Sequence, residues 1–252
     1  MKNLRQDWEL TKSSVITILK LRNEGSILGF LWYLINPLLM FLILYFIFSQ
    51  NIGQNIEYYP LYIIIGLIVW NLMGVATTVS INTIKFGSSL IKSIKFPSEI
   101  LVISPIIASL IQHLFEVFIL SLILIFFKIN PIYLLFYFPV LLFLIIFSLG
   151  ISFILSSLYV YFTDLDSIWV FVIRLWWLAT PIFYSINMSP KIAFINQFNP
   201  MFYFIDISRT IIIYNSVPSL EKILIMVFFS LFSLIVGYFI FNKFKSKFTE
   251  LV

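Results

Sequence analysis

Pro139-Val140-Leu141-Leu142-Phe143-Leu144-Ile145-Ile146-Phe147-Ser148-Leu149-Gly150-Ile151-Ser152-Phe153-Ile154-Leu155-Ser156-Ser157-Leu158-Tyr159 carries no charge. A bilayer core takes about 20 residues of helix, because each residue advances the chain by only about 1.5 Å. The stretch sits inside an apolar run over 132–161. Five more such runs occupy 28–49, 60–83, 100–127, 167–185 and 220–242. None alternates with the two-residue period of a barrel strand, and in lipid only helices satisfy their own backbone groups over such lengths. We therefore read an all-α integral membrane protein with six transmembrane helices.

Composition agrees. Hydrophobic residues make up 61% of the 252 residues, charged residues only 11%, and the mean hydropathy is +1.05. A soluble domain carries nearer 25% charged residues. The expected division is an interface helix over 1–26 and one membrane domain over 27–252. Cysteine is absent, which excludes disulfides and cysteine-ligated metals, and the single histidine, His113, excludes a histidine-rich site. The first apolar run is too long for a signal-peptide core and no A-x-A site follows it, so we read it as a retained span. The net charge of +5 comes from segments flanking the spans and bears on topology; it does not point to nucleic acid.

Lys2, Arg5, Lys12, Lys20 and Arg22 precede the first run, Lys85, Lys92 and Lys95 lie between the second and third, and Lys243, Lys245 and Lys247 follow the sixth. With six spans these share one side. The other side holds Lys128, Lys191, Arg209 and Lys222. The positive-inside rule then places both termini in the cytoplasm.

Residues 2–22 fit an amphipathic helix, with Leu4, Trp8, Val15, Ile18 and Leu19 on one arc at 100° per residue. Such a helix lies in the membrane interface or packs on the protein's own loops. The segment 84–97 is short, basic and apolar, and Pro97 ends it. The outer connection over 186–219 carries Ser189-Pro190 and Asn199-Pro200 breaks between apolar runs, which suits two short helices dipping into the outer leaflet.

No G-x-x-x-x-G-K-[ST] is present, so the chain has no P-loop for ATP. Asp164 and Asp166 have the spacing of a metal-binding D-x-D pair, but two carboxylates in a loop are more often a helix N-cap with its dipole partner. His113 and Glu116 share one face of the third run, fit either for interhelical hydrogen bonds or for a functional site. Arg174 lies inside the fifth run. Counted from the cytoplasmic ends, Glu116 and Arg174 sit about 24 Å and 10 Å deep, which disfavours a direct pair. Arg174 either snorkels to the headgroups or holds an anionic substrate head. Trp32, Tyr33 and Tyr45 on the first run, and Trp176, Trp177 and Tyr184 on the fifth, are flat aromatic faces suited to stacking sugar rings or to helix packing.

Leu28-Gly29-Phe30-Leu31-Trp32 with Asn36-Pro37 resembles the opening of the permease subunit of ATP-binding-cassette exporters of the polysaccharide type. Gly66 with Trp70-Asn71, Leu90-Ile91-Lys92 leading to Phe96-Pro97, and Tyr161-Phe162-Thr163-Asp164-Leu165 continue the likeness. So do Trp177, Thr180-Pro181-Ile182 and Tyr184, and Asn199-Pro200-Met201 followed by Arg209. Thr163 stands where that family usually has Arg. The resemblance runs over almost the whole chain. It implies a homodimer that works with two separate nucleotide-binding ATPase subunits, which hold the ATP and magnesium. It implies a coupling segment over 84–97, with Leu90, Ile91, Lys92, Phe96 and Pro97, and with Asp164 nearby. It implies an outer gate over 186–219. From the aromatic faces and the arginine inside the fifth run themselves we expect a substrate path along Trp32, Tyr33, Tyr45, Arg174, Trp176, Trp177 and Tyr184. The cargo that the resemblance implies is a lipid-linked polysaccharide such as O-antigen, capsule or teichoic acid. The rivals are a drug or lipid exporter of the same architecture, a membrane glycosyltransferase using Asp164 and Asp166, and a membrane scaffold.

Overall fold

The computed structural model describes residues 4–23, 29–87 and 97–248, the side chains of Leu4, Arg22, Asn23, Phe30, Tyr33 and Leu34 excepted. The described residues are helical and contain no strand. The α-helices are α1 (Leu4–Asn23), α2 (Trp32–Phe48), α3 (Tyr59–Ser80), α4 (Thr83–Phe86), α5 (Ser98–Phe126), α6 (Phe138–Tyr159), α7 (Leu165–Ala179), α8 (Pro190–Gln197), α9 (Pro200–Ile212) and α10 (Leu220–Lys245). Short 3-10 turns lead into α2 at Gly29–Leu31 and into α6 at Pro131–Tyr137.

Among the described residues four segments are long and apolar enough to cross a bilayer: Tyr59–Ser80, Ser98–Phe126, Pro131–Tyr159 and Leu220–Lys245. The first and fifth apolar runs give shorter helices, with 17 residues in α2 and 15 in α7. At about 1.5 Å per residue α7 is only about 22 Å long. The run over 167–185 is thus not one helix. It stops at Ala179 because Thr180 precedes a proline, which pushes it to the extended backbone seen here (φ −90°, ψ 135°). The outer connection does form two short helices. Ser189 and Asn199 cap α8 and α9, their side-chain oxygens accepting from the N–H of Lys191 at 3.3 Å and of Met201 at 3.1 Å, and a proline follows each cap.

The core is built round α3, a helix apolar on every side and buried on most of them. Leu61, Ile63, Ile65 and Met73 are fully buried, with α5, α6 and α9 packed about them. Beyond this core, α1 packs on α5. Val15 is buried and Leu10 reaches the cluster of Ile84, Ile100, Leu101, Phe241 and Phe248, whereas Trp8 stays outward at 62% exposure. The expected apolar arc of α1 is therefore split between the protein and its surroundings. An ion pair between Lys245 and Glu99 ties the end of α10 to the start of α5. The segment 88–96, and with it Leu90, Ile91, Lys92 and Phe96, lies outside the described residues.

The closest helix pair is α6 with α10, and small residues permit it. A Cβ on Gly237 would stand 2.1 Å from the Gly150 carbonyl oxygen, and one on Gly150 would stand 2.3 Å from the backbone carbon of Ser233. Ser233 Oγ donates to the Phe147 carbonyl across the same contact, at 3.2 Å. Lipid tails give helices no hydrophobic reason to associate, so close backbone approach and interhelical hydrogen bonds hold such pairs. Gly237→Leu must separate the two backbones. We expect it to cost about 2 kcal/mol or more, read as a lower thermal midpoint in detergent, whereas Phe239→Leu on the exposed face of α10 should leave the midpoint in place.

Candidate functional site

Past Ala179 the chain leaves the helix at Thr180 and turns at Pro181, where Ile182 N–H donates to Thr180 O at 2.7 Å, and all three residues are buried. Carbonyls there have no helical donor, and an unpaired buried carbonyl costs about 1–3 kcal/mol. Four in succession are satisfied by side chains. Arg209 Nη1 donates to Pro181 O at 2.8 Å and Nη2 to Ile182 O at 2.7 Å. Tyr59 Oη donates to Phe183 O at 2.8 Å and Tyr62 Oη to Tyr184 O at 3.0 Å. Arg209 also donates from Nε and Nη2 to Tyr62 O at 3.0 and 2.8 Å, with its guanidinium carbon 3.3 Å from the centre of the Tyr62 ring. One fully buried arginine on α9 thus bolts the end of α7 to the start of α3. Gly66 makes room: a Cβ there would come within 2.6 Å of Arg209 Nη2.

A second tie holds α7 to α9. Trp176 Nε1 donates to Asn199 Oδ1 at 2.8 Å, and Asn199 Nδ2 donates to Thr180 Oγ1 at 2.9 Å and Asn196 Oδ1 at 3.0 Å. Trp176 packs edge-on against Trp70 at 5.6 Å and against Phe147 at 6.4 Å. It therefore faces the bundle, while Trp177, the next residue, faces a cavity.

That cavity has a volume of about 480 Å³ and lies between α2, α3 and α7. Asn36, Pro37 and Met40 form one wall, Trp70 and Asn71 the back, and Arg174 and Trp177 the other wall. From there aromatic rings lead toward the Pro190–Ile212 end. Trp177 lies 5.7 Å from Phe183, and Phe183 stacks on Phe48 at 4.8 Å. Tyr45, beside Phe41, packs on Tyr59 at 6.2 Å. Of the residues singled out in the sequence, the structure puts Arg174 and Trp177 on the cavity. It puts Tyr45 and Tyr184 near the ring path, the Tyr184 hydroxyl donating to Leu178 O at 3.1 Å. Trp32 is exposed at the start of α2, and the Tyr33 side chain lies outside the described residues.

Asp164 stands at the N-cap position of α7, but its side chain makes no cap. Its backbone carbonyl accepts from Ile168 N at 3.1 Å, and Asp166 Oδ1 accepts from Ser167 N at 2.6 Å. Pro97 sits at the N-cap of α5. His113 and Glu116 form interhelical hydrogen bonds. Glu116 Oε1 accepts from Asn71 Nδ2 on α3 at 2.6 Å, and Oε2 lies 3.3 Å from His113 Nδ1. His113 Nε2 lies 2.8 Å from the Tyr137 hydroxyl. Among the described residues Arg174 and Glu116 form no ion pair. Arg209 and Asn71 are the two positions that sequence reasoning undervalued. The available signal for Arg209 was a lone guanidinium among the apolar residues of α9.

The family model for the ABC-2 type transporter matches residues 9–213. The chain belongs to the ABC-2 type transporter family. Full-length likeness goes further. An O-antigen export system permease protein RfbA of Klebsiella pneumoniae is 32% identical over 237 residues, covering 93% of this chain and 91% of that protein. A second RfbA of Klebsiella pneumoniae is 30% identical over the same lengths, and an RfbA of Myxococcus xanthus is 26% identical over 254 residues, covering 99% and 98%. In this ABC-2 chain the Arg209 bolt should be indispensable to the fold. Arg209→Gln strands at least two buried carbonyls, and we expect a loss of about 3 kcal/mol or more, seen in thermal unfolding of the purified chain. Gly66→Val should lower the midpoint in the same way by displacing the guanidinium, and the two changes together should cost less than their sum.

Proposed function

We propose that this chain is the transmembrane subunit of an ATP-driven exporter that moves a lipid-linked polysaccharide across the cytoplasmic membrane. Near-full-length likeness to permeases named for O-antigen export supports that cargo. The single observation in the structure that carries the proposal is the cavity between α2, α3 and α7. Trp70 and Trp177 offer indole faces to a sugar ring, Asn36 and Asn71 offer amides to its hydroxyls, and Arg174 offers a cation to a phosphate of the lipid carrier. A drug or lipid exporter has less use for two amides and a guanidinium on one wall set.

Six spans and cytoplasmic termini complete the proposal. The 3-10 turn at Gly29–Leu31 lengthens α2, and the non-helical segment after α7 completes that crossing. Non-helical backbone is tolerated at membrane depth only when it is buried in protein and satisfied, as the carbonyls of 181–184 are. The helix α1 would rest at the inner interface, with Trp8 toward the headgroups. Two copies would face each other across α2 and α7. Among the described residues α7 has no buried side chain, and α2 buries only Leu44. ATP and magnesium would be held by a separate nucleotide-binding subunit docked on the segment 84–97, with Asp164 nearby.

Single cysteines along α2 and α7 test the path in a chain that has none of its own. During turnover with the ATPase subunit, positions 36, 40, 174 and 177 should react with a water-soluble maleimide, in a one-faced helical pattern. Uniform protection along both helices would mean that no conduit runs there. Trp177→Ala should lower polymer export roughly tenfold, as expected for about 1–3 kcal/mol of stacking per ring, with ATPase activity largely kept. Coupling is checked separately: Ile91→Asp with Phe96→Asp should abolish export and ATPase co-purification while the chain stays folded.

A further inference from the structure

We propose a second, outer sugar site, formed by the amides of Asn51, Asn55 and Asn187, that takes an uncharged hexose unit of the polymer as it leaves. The proposal rests on the export function above and extends it to a place nothing else assigns. The pocket has a volume of about 280 Å³ and is bounded by Asn51, Ile52, Asn55, Ile56, Ser185 and Asn187, with Met188 at its edge. These residues belong to the connections that follow α2 and α7, the same two helices that wall the inner cavity. From the inner cavity Trp177 lies 5.7 Å from Phe183, the residue two before Ser185, and Phe183 stacks on Phe48, three before Asn51.

The chemistry of the lining selects the ligand. An amide offers both donor and acceptor, which matches a hydroxyl that is also both. The three amides are exposed, and among the described residues their side chains make no hydrogen bond within the chain. No charged side chain lines the pocket, so it has no preference for phosphate or a carboxylate. Ile52, Ile56 and Met188 give the apolar patches that the C–H face of a pyranose covers. A neutral sugar uses every part of this lining, and a lipid headgroup does not.

The pocket is also held in shape. Gly53 lies against the face of Tyr59, where a Cβ would meet ring atoms at 2.3 Å. The Tyr59 hydroxyl donates to Phe183 O at 2.8 Å. One tyrosine therefore fixes the turn that carries Asn51 and Asn55 and also the segment that leads to Ser185 and Asn187. Ser185 Oγ accepts from Asn187 N at 3.3 Å and sets the turn that presents Asn187. A backbone held in advance leaves only the amide side chains to be ordered on binding, which suits a weak contact that must release its ligand at each step.

The test uses the full chain with its ATPase subunit, in membranes of cells that make the polymer. Met188→Cys places one thiol at the edge of the pocket. The oligosaccharide released by mild acid from the cells' own polymer should slow its labelling by a membrane-impermeant maleimide. Glycerophosphocholine should not. Adding N51A, N55A and N187A should weaken that protection by roughly fivefold for each hydrogen bond lost and slow export, with ATPase activity and thermal midpoint unchanged. The protection measurement with M188C alone needs no change to the amides. Labelling indifferent to the oligosaccharide, slowed equally by glycerophosphocholine, or still protected in the triple variant overturns the outer site. If Trp177→Ala still impairs export in those same cells, the export function stands without it. Cells in which the unaltered chain moves no polymer overturn both.

Discussion

Four consecutive carbonyls, from Pro181 to Tyr184, need donors that no helix supplies. Much of the architecture follows from where those donors come. Two are tyrosines of the first turn of α3 and two bonds come from one arginine of α9. Each donor must therefore stand at a fixed place, which locks three elements together at one end of the bundle. A charged guanidinium away from water is stable only when its donors are satisfied and its charge is compensated. Here carbonyl oxygens and the Tyr62 ring do both. Gly66 is small because the guanidinium occupies the space a side chain would fill.

That lock divides the molecule. On one side stand α3, α5, α6, α9 and α10, packed around a buried apolar core and, between α6 and α10, brought to backbone contact by Gly150 and Gly237. On the other side stand α2 and α7, exposed along most of their length and separated by the cavity. The two short helices of the Pro190–Ile212 region are unlike each other. Helix α9 belongs to the core through Met201, Phe204, Ile205 and Arg209, whereas α8 leaves Phe194 and Ile195 exposed, as is Phe198 just after it. Motion that opens a path is cheap where few buried contacts break. That singles out α8 and the α2–α7 pair, and argues against α9.

The apolar runs were legible because a hydropathy pattern of bilayer length has one structural solution. The proline breaks were legible for the same kind of reason: Ser189-Pro190 and Asn199-Pro200 cap and start helices by local chemistry alone. The early end of α7 was signalled too, by Thr180-Pro181, yet hydropathy outvoted it, since Ile182 and Phe183 are as apolar as any helix residue. What the sequence hid is tertiary. Trp176 and Trp177 look alike in the chain, but one hydrogen-bonds Asn199 inside the bundle and the other lines the cavity. Arg209 counted as a loop charge because its three carbonyl partners are 147, 28 and 27 residues away. Asp164 had the right identity and position for a capping side chain, and its carboxylate turns elsewhere.

A buried polar chain through α3 and α5 reaches the cavity wall at Asn71. Glu116 accepts from Asn71, and the His113 ring lies between Glu116 and the Tyr137 hydroxyl. Every member then has a partner, the condition for holding such groups inside a membrane bundle. The consequence reaches the cavity. Binding Glu116 uses one of the two Nδ2 hydrogens of Asn71, a residue of the cavity wall. The Asn71 amide is therefore held in one orientation on a cavity that Arg174 also lines. That orientation is set from behind by α5, a helix whose charge the cavity never meets. An apolar residue in place of Glu116 would keep the bundle's volume and free the amide to turn, so the carboxylate's worth lies in orientation more than in packing.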